Sequence, residues 1–169
     1  QIFSHNQVKT EVTRGLSNLT RETGLGRYFA DGVMLTNPES ELSCIPDGLL
    51  VSDESFDSSR IRLIEGTKEG FLELEGSADM VLEVVSDSSE KKDNQTLFEA
   101  YHEAGITEYW LVDARGEAVE FNVYKRGAKK FTIIKPQPGG WVKSAVFGKS
   151  FRLTRDTDAT GNPEFTLEV

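Results

Sequence analysis

Asp79-Met80-Val81-Leu82-Glu83-Val84-Val85-Ser86 is the most apolar run of the chain and reads as the central strand of a sheet. Side chains alternate along a strand, so Asp79, Val81, Glu83 and Val85 share one face, while Met80, Leu82 and Val84 take the other. Glu83 is out of place in such a run, because burying an ionised carboxylate costs several kcal/mol unless it is paired or holds a metal. Pro46-Asp47-Gly48-Leu49-Leu50-Val51 repeats the anomaly. If the two strands pair antiparallel, the start of the first meets the end of the second, and Asp47 comes beside Glu83. Asp79 lies four residues earlier, about 13 Å away at roughly 3.3 Å per residue, and is expected to begin the strand in a structural role.

Outward from these strands the pattern is mixed. Val8, Val12, Leu16 and Leu19 recur at helical spacing, predicting a helix from His5 to Gly24. Alternation predicts strands over Arg27–Thr36 and Ser43–Val51, with Asp31-Gly32 a bulge or turn in the first. Asp53–Ser59 reads as an acidic loop, and Arg60–Ile64 with Phe71–Leu74 as a hairpin. A second helix is expected from about Ser88 to Ala104, stopped by Gly105. Glu108–Val112, a hairpin across Arg126-Gly127, Trp141–Val146 and Phe151–Leu153 continue the β-structure. The fold class is α/β (α+β mixed sheet), with helices packed on a central mixed sheet and an extra C-terminal β-hairpin region. Residues 1–155 are expected to form one domain and 156–169 an irregular tail.

Composition bounds the function. A chain of 169 residues is one domain by length. Its single cysteine, Cys44, makes no internal disulfide, which points to a reducing cytoplasm. No run approaches the roughly 18 apolar residues of a membrane span. The net charge of −9 works against nucleic-acid binding, although Lys125, Arg126, Lys129, Lys130, Lys135, Lys143, Lys149, Arg152 and Arg155 concentrate cations late in the chain. That segment is either a basic face or a solvated β surface.

Two carboxylates, the Val84 backbone carbonyl and waters form an oxygen-rich set suited to Mg²⁺, with Mn²⁺ as an alternative. Such an ion polarises a phosphodiester and lowers the pKa of an attacking water. Without metal the acids repel, and one pKa rises. The alternative is that each acid satisfies backbone or arginine donors at a strand end. His5 and His102 lack zinc-ligand spacing, with His102 expected toward solvent. Cys44 has no histidine partner for thiol chemistry, and Tyr109 and Trp110 are expected in the core.

Pro46-Asp47, then Glu83-Val84-Val85-Ser86, then Tyr101-x-x-Ala104-Gly105-Ile106 and Glu108-Tyr109-Trp110-Leu111-Val112-Asp113 together resemble the Uma-type family of restriction-endonuclease-like proteins, within the PD-(D/E)xK superfamily. The resemblance runs from about His5 to Lys125. It implies a restriction-endonuclease-like core with Asp47 and Glu83 as metal ligands. Val85 stands where the superfamily places its lysine, and Leu97 stands where this family tends to carry it. Leucine can neither orient water nor stabilise an oxyanion. Lys92, or Lys91 beside it, is the nearest cation able to assist from the helix start, with Gln95 a polar substitute; solvent exposure is the alternative for both lysines. His5 matches a histidine common in relatives and is a candidate substrate contact.

The sequence therefore predicts a metal-dependent endonuclease hydrolysing DNA, in the cytoplasm and without a membrane. The rival is a degenerate, noncatalytic relative that binds nucleic acid or a partner protein. A homodimer, with strands after residue 117 pairing across a two-fold axis, is a further possibility.

Overall fold

The computed structural model describes residues 2–67, 70–86 and 91–169, and leaves out the side chains of residues 72 and 91–94. The chain opens with helix α1 (Ile2–Thr23), followed by strands β1 (Gly26–Ala30), β2 (Met34–Asn37), β3 (Leu42–Cys44) and β4 (Gly48–Ser52). Helix α2 (Asp53–Asp57) leads into β5 (Ile61–Glu65), β6 (Phe71–Gly76) and β7 (Met80–Val84). Helix α3 (Lys91–Glu103) is followed by β8 (Glu108–Asp113), β9 (Glu120–Arg126), β10 (Phe131–Ile133), β11 (Val142–Ser144), β12 (Lys149–Thr157) and β13 (Pro163–Glu168).

A six-stranded sheet, ordered β1-β4-β7-β8-β9-β10, forms the middle of the protein. β7 and β8 run parallel, joined by the crossover that contains α3, as parallel neighbours require. β4 and β7 run antiparallel. A second sheet, β3-β2-β6-β5, and a third, β11-β12-β13, stand apart from it.

The two faces of the central sheet make two cores. On one, Val8, Val12 and Leu16 of α1 pack with Leu50, Met80, Leu82 and Trp110, and the small C-terminal sheet adds Phe151, Phe165 and Leu167. On the other, Tyr101 and Ala104 of α3 pack with Leu49, Val51, Val81 and Tyr109, joined by Leu35, Ile61 and Leu74 of the second sheet. The alternation predicted along β7 is thus realised: Met80, Leu82 and Val84 face α1, and Val81 faces α3. Among the described residues, no helix is long and apolar enough to cross a membrane.

Several expectations are corrected. Arg27–Thr36 is two strands in different sheets, as is Ser43–Val51, because each run bends where the chain leaves one sheet for the other. Asp53–Ser59 holds the short helix α2 rather than a loop alone. The Ser52 hydroxyl accepts the Ser55 N–H at 3.1 Å, and Asp53 and Glu54 place negative charge in the first turn. The tail is not irregular: β13 pairs with β12 from Arg152↔Glu168 to Thr157↔Pro163. Phe165 and Leu167 alternate into the α1 core, and the Leu167 N–H donates to Glu11 at 3.0 Å. The strands after residue 117 find partners within the chain.

Because Leu167 is buried against α1, Leu167→Ala should destabilise the fold by about 2–4 kcal/mol in urea unfolding. A change of a few tenths would return β13 to the status of a dispensable tail.

Candidate active site

The register Gly48↔Leu82, Leu49↔Val81, Leu50↔Met80 carried one step further sets Asp47 opposite Glu83. Both project toward the α3 side, by alternation with Leu49 and Val81. Gly48, between Asp47 and Leu49, leaves room for the Tyr28 hydroxyl, which a Cβ there would meet. The pair lies where β4 begins and β7 ends, and at that margin both layers reach it.

Asp47 is held through both oxygens. Oδ2 accepts the Val84 N–H at 2.7 Å, and Oδ1 accepts the Lys9 ammonium at 2.8 Å. Lys9 also donates to Oδ2 of Asp31, in the β1–β2 turn, at 2.8 Å. Burial works against the charge on Lys9, but the hydrogen bonds to Asp31 and Asp47 outweigh it and raise its pKa. His5 lies one helical turn before Lys9, its Nε2 3.1 Å from the Val84 carbonyl.

Glu83 is approached from α3. The Tyr101 hydroxyl, itself fully buried, donates to its Oε1 at 2.5 Å, and Cys44 Sγ lies 3.4 Å from the same hydroxyl. Burial pushes the Glu83 carboxyl up to about 7, and the Asp47 charge adds to the rise, while the Tyr101 hydrogen bond and the charge of Lys9 oppose it. The expected rise in one pKa is therefore present, with burial a larger cause than repulsion between the acids. Burial and the Glu83 charge also push the Cys44 thiol up, which keeps it from acting as a thiolate.

The remaining sequence-predicted residues fall in different places. Asp79 stays out of the site and organises the start of β7, accepting from the Ser52 N–H at 2.7 Å, Ser55 Oγ at 3.0 Å and Arg60 at 3.1 Å. Gln95 is exposed, and its amide donates to Glu99 at 3.4 Å in a groove shared with Lys129 and Lys130, so it does not substitute at the acid pair. The side chains of Lys91 and Lys92 lie outside the described residues. Leu97 packs against the core beneath α3, as an aliphatic side chain there should. His102 does not face solvent alone: its Nε2 sits 2.7 Å from the Gly127 carbonyl. Tyr109 and Trp110 are core residues. The late cations do not make one free basic face, because Arg152 is paired to Glu168 and Lys129 and Lys130 share their groove with Glu99 and Glu103.

Lys9 and Asp31 were missed. The signal for Lys9 is its position four residues after His5 on one face of an amphipathic helix, and for Asp31 its place in a turn between strands. Neither spacing by itself marks a site.

The oxygen donors fit a hard divalent cation. Two carboxylates stand opposed on paired strands at one sheet margin, the Val84 carbonyl lies beside them against His5, and a cation already stands on Asp47 in the form of the Lys9 ammonium. Among the described residues, no three histidine, cysteine, aspartate or glutamate side chains cluster as a metal site.

The central mixed sheet is flanked by helices and carries an Asp and a Glu opposed at the margin of its middle strands. The chain belongs to the Uma2 family, described as "Putative restriction endonuclease", which matches residues 1–168. Its fold is similar to the crystal structure of "a putative nuclease belonging to DUF820" from Anabaena variabilis, with a TM-score of 0.61 and 17% identity, over 86% of this chain and 74% of that one. A comparison with curated proteins finds no match.

Glu83 supplies a pH signature. Its folded pKa, about 7, stands above the ordinary 4.5, so between these values the folded state binds more proton than the unfolded chain. Stability from this group is complete below the lower value and is lost as pH rises through the upper one. Without divalent cations, wild type should lose on the order of 2 kcal/mol relative to Glu83→Gln between pH 5 and 7 in urea unfolding. Identical pH slopes in both proteins would contradict this placement of Glu83.

Proposed function

We propose that the protein is a metal-dependent endonuclease that hydrolyses DNA phosphodiester bonds in the cytoplasm. The observation that carries this reading is the β4/β7 register, which opposes Asp47 and Glu83 at a sheet margin. Membership of the Uma2 family supports the nuclease class. Asp47, Glu83 and the Val84 carbonyl would hold Mg²⁺, or Mn²⁺ in its place. When bound, the ion supplies Lewis-acid polarisation of the phosphoryl oxygen and a water of lowered pKa.

The chain's own residues do the rest. The Val84 N–H fixes the Asp47 carboxylate through one oxygen, so the acid is oriented before any ligand arrives. Tyr101 holds Glu83 through Oε1, from a buried position that fixes the side chain. His5 is within reach of the Val84 carbonyl and so stands at the mouth of the same site, where a phosphate would meet it. Repulsion between two ionised acids at neutral pH is relieved by a cation between them, which also favours the ionised form of Glu83.

A second reading has support of its own. Leu97 is built into the core where the family resemblance looks for a lysine, and the net charge is −9. These favour a noncatalytic relative that keeps the fold to bind nucleic acid or a protein partner.

Cleavage of single- and double-stranded DNA in Mg²⁺ or Mn²⁺, together with Mn²⁺ titration calorimetry, separates the two. Wild type is expected to cut, while Asp47→Asn and Glu83→Gln are expected to lose cleavage and to weaken Mn²⁺ binding by at least about tenfold. Salt-sensitive DNA binding without cutting in wild type would favour the noncatalytic reading. Equal Mn²⁺ binding in all three proteins would remove the metal site.

A further inference from the structure

The geometry points to Lys9, on α1, as a residue that presents a positive charge to a nucleic-acid phosphate at the acid pair. This inference rests on the reading that nucleic acid is bound at Asp47 and Glu83, and it adds a residue that the sequence motifs do not mark.

Three observations carry it. The first is delivery. Val8 and Val12, which flank Lys9 on α1, are wholly buried against the central sheet, and Glu11 is tied to the Leu167 N–H of β13. The backbone that carries Lys9 is thus fixed on both sides, while its side chain remains 18% exposed at the sheet margin. A lysine so placed is neither a solvated surface charge nor a fully buried ion pair.

The second is charge. Asp31, Asp47 and Glu83 bring up to three negative charges to one locus, and the charges of Asp31, Asp47 and Lys9 are all felt at Glu83. A phosphodiester entering this locus meets repulsion unless cations face it. Among the described residues, Lys9 is the one lysine or arginine ion-paired to Asp47. An ammonium carries three protons. Two are directed at Asp31 and Asp47, each at 2.8 Å, so one more is available for a phosphate oxygen or a water.

The third is the defect on α3. Leu97, partly buried, packs against the apolar core, so no cation projects from that position. Lys9 approaches the acid pair from the opposite layer, with His5 one turn away at the Val84 carbonyl. Lys9 bridges acids from two separate elements at the sheet margin, where its own side chain and those of both acids remain partly exposed.

Lys9 keeps its proton in this role. It donates one hydrogen bond to a nonbridging phosphate oxygen and offsets charge as the water oxygen bonds to phosphorus and the P–O ester bond breaks, the water giving its proton to solvent and the departing oxygen taking one from solvent. It neither accepts nor transfers the proton of that water.

The test is the salt dependence of binding to a fluorescent DNA oligonucleotide in Ca²⁺, with single-turnover cleavage in Mn²⁺ as a second readout. Lys9→Met should lower the slope of log affinity against log salt by about 1, and Lys9→Arg should restore it. Single-turnover cleavage should fall by about a hundredfold in Lys9→Met, with Mn²⁺ affinity equal to wild type or tighter once the competing ammonium is gone. If Lys9→Met does not fold, Lys9→Gln, which keeps a donor near Asp47 without the charge, reads the same slope.

An unchanged slope in folded Lys9→Met, or a wild type that binds no DNA, overturns the inference. So does a loss of slope and rate in Lys92→Met that is absent in Lys9→Met. If no protein cleaves but the slope falls in Lys9→Met, the nuclease reading fails while Lys9 keeps its phosphate. If wild type cleaves and Lys9→Met matches it in slope and rate, the reverse holds.

Discussion

The pairing of β4 with β7 in antiparallel register is the constraint on which the site depends. Gly48↔Leu82 and its neighbours put the first residue before β4 across from the fourth residue of β7. A slip of one residue would turn Leu49 and Val51 out of one core and Leu50 out of the other. The two hydrophobic cores therefore fix the position of the acids. Asp47 and Glu83 are held together by leucines and valines that have no part in their chemistry.

The location at a strand end explains how so many different groups meet there. In the middle of the sheet, α1 and α3 are separated by the full thickness of the strands. At the margin, Lys9 and His5 reach in from α1 while Tyr101 reaches Glu83 from α3. The two acids are stabilised differently as a result. Asp47 has a backbone N–H and an ammonium, whereas Glu83 has a buried phenol and a rise in pKa caused chiefly by burial. A pair of carboxylates with unequal environments is a common way to separate roles within one site.

Much of this was legible in the sequence, for identifiable reasons. The run Met80–Val84 has no polar residue except Glu83, so both its central place and the oddity of its acid could be read. Strand alternation then settled which residues share a face with Glu83. The short helix α2 was not legible, because its stability comes from Ser52 and from the Asp79 network, which lies more than twenty residues away in the chain. The last strand was missed because Pro163 and the Asp158–Asn162 turn mask a simple alternation of Phe165 and Leu167. Lys9 and Asp31 were invisible for a deeper reason. Each is an ordinary polar residue on a solvent-facing pattern until the fold brings α1 and the β1–β2 turn to the same margin. The motifs directed attention to the helix after Glu83, where Leu97 belongs to the core and Gln95 faces Glu99.

The central claim is that Asp47 and Glu83 are opposed because a divalent cation belongs between them. Crystals grown in Mn²⁺ and measured at a wavelength where manganese scatters anomalously address it directly. The account predicts one strong anomalous peak within coordination distance of both carboxylates and the Val84 carbonyl. No peak there at saturating Mn²⁺, with the Lys9 ammonium still seated on Asp47, would contradict it.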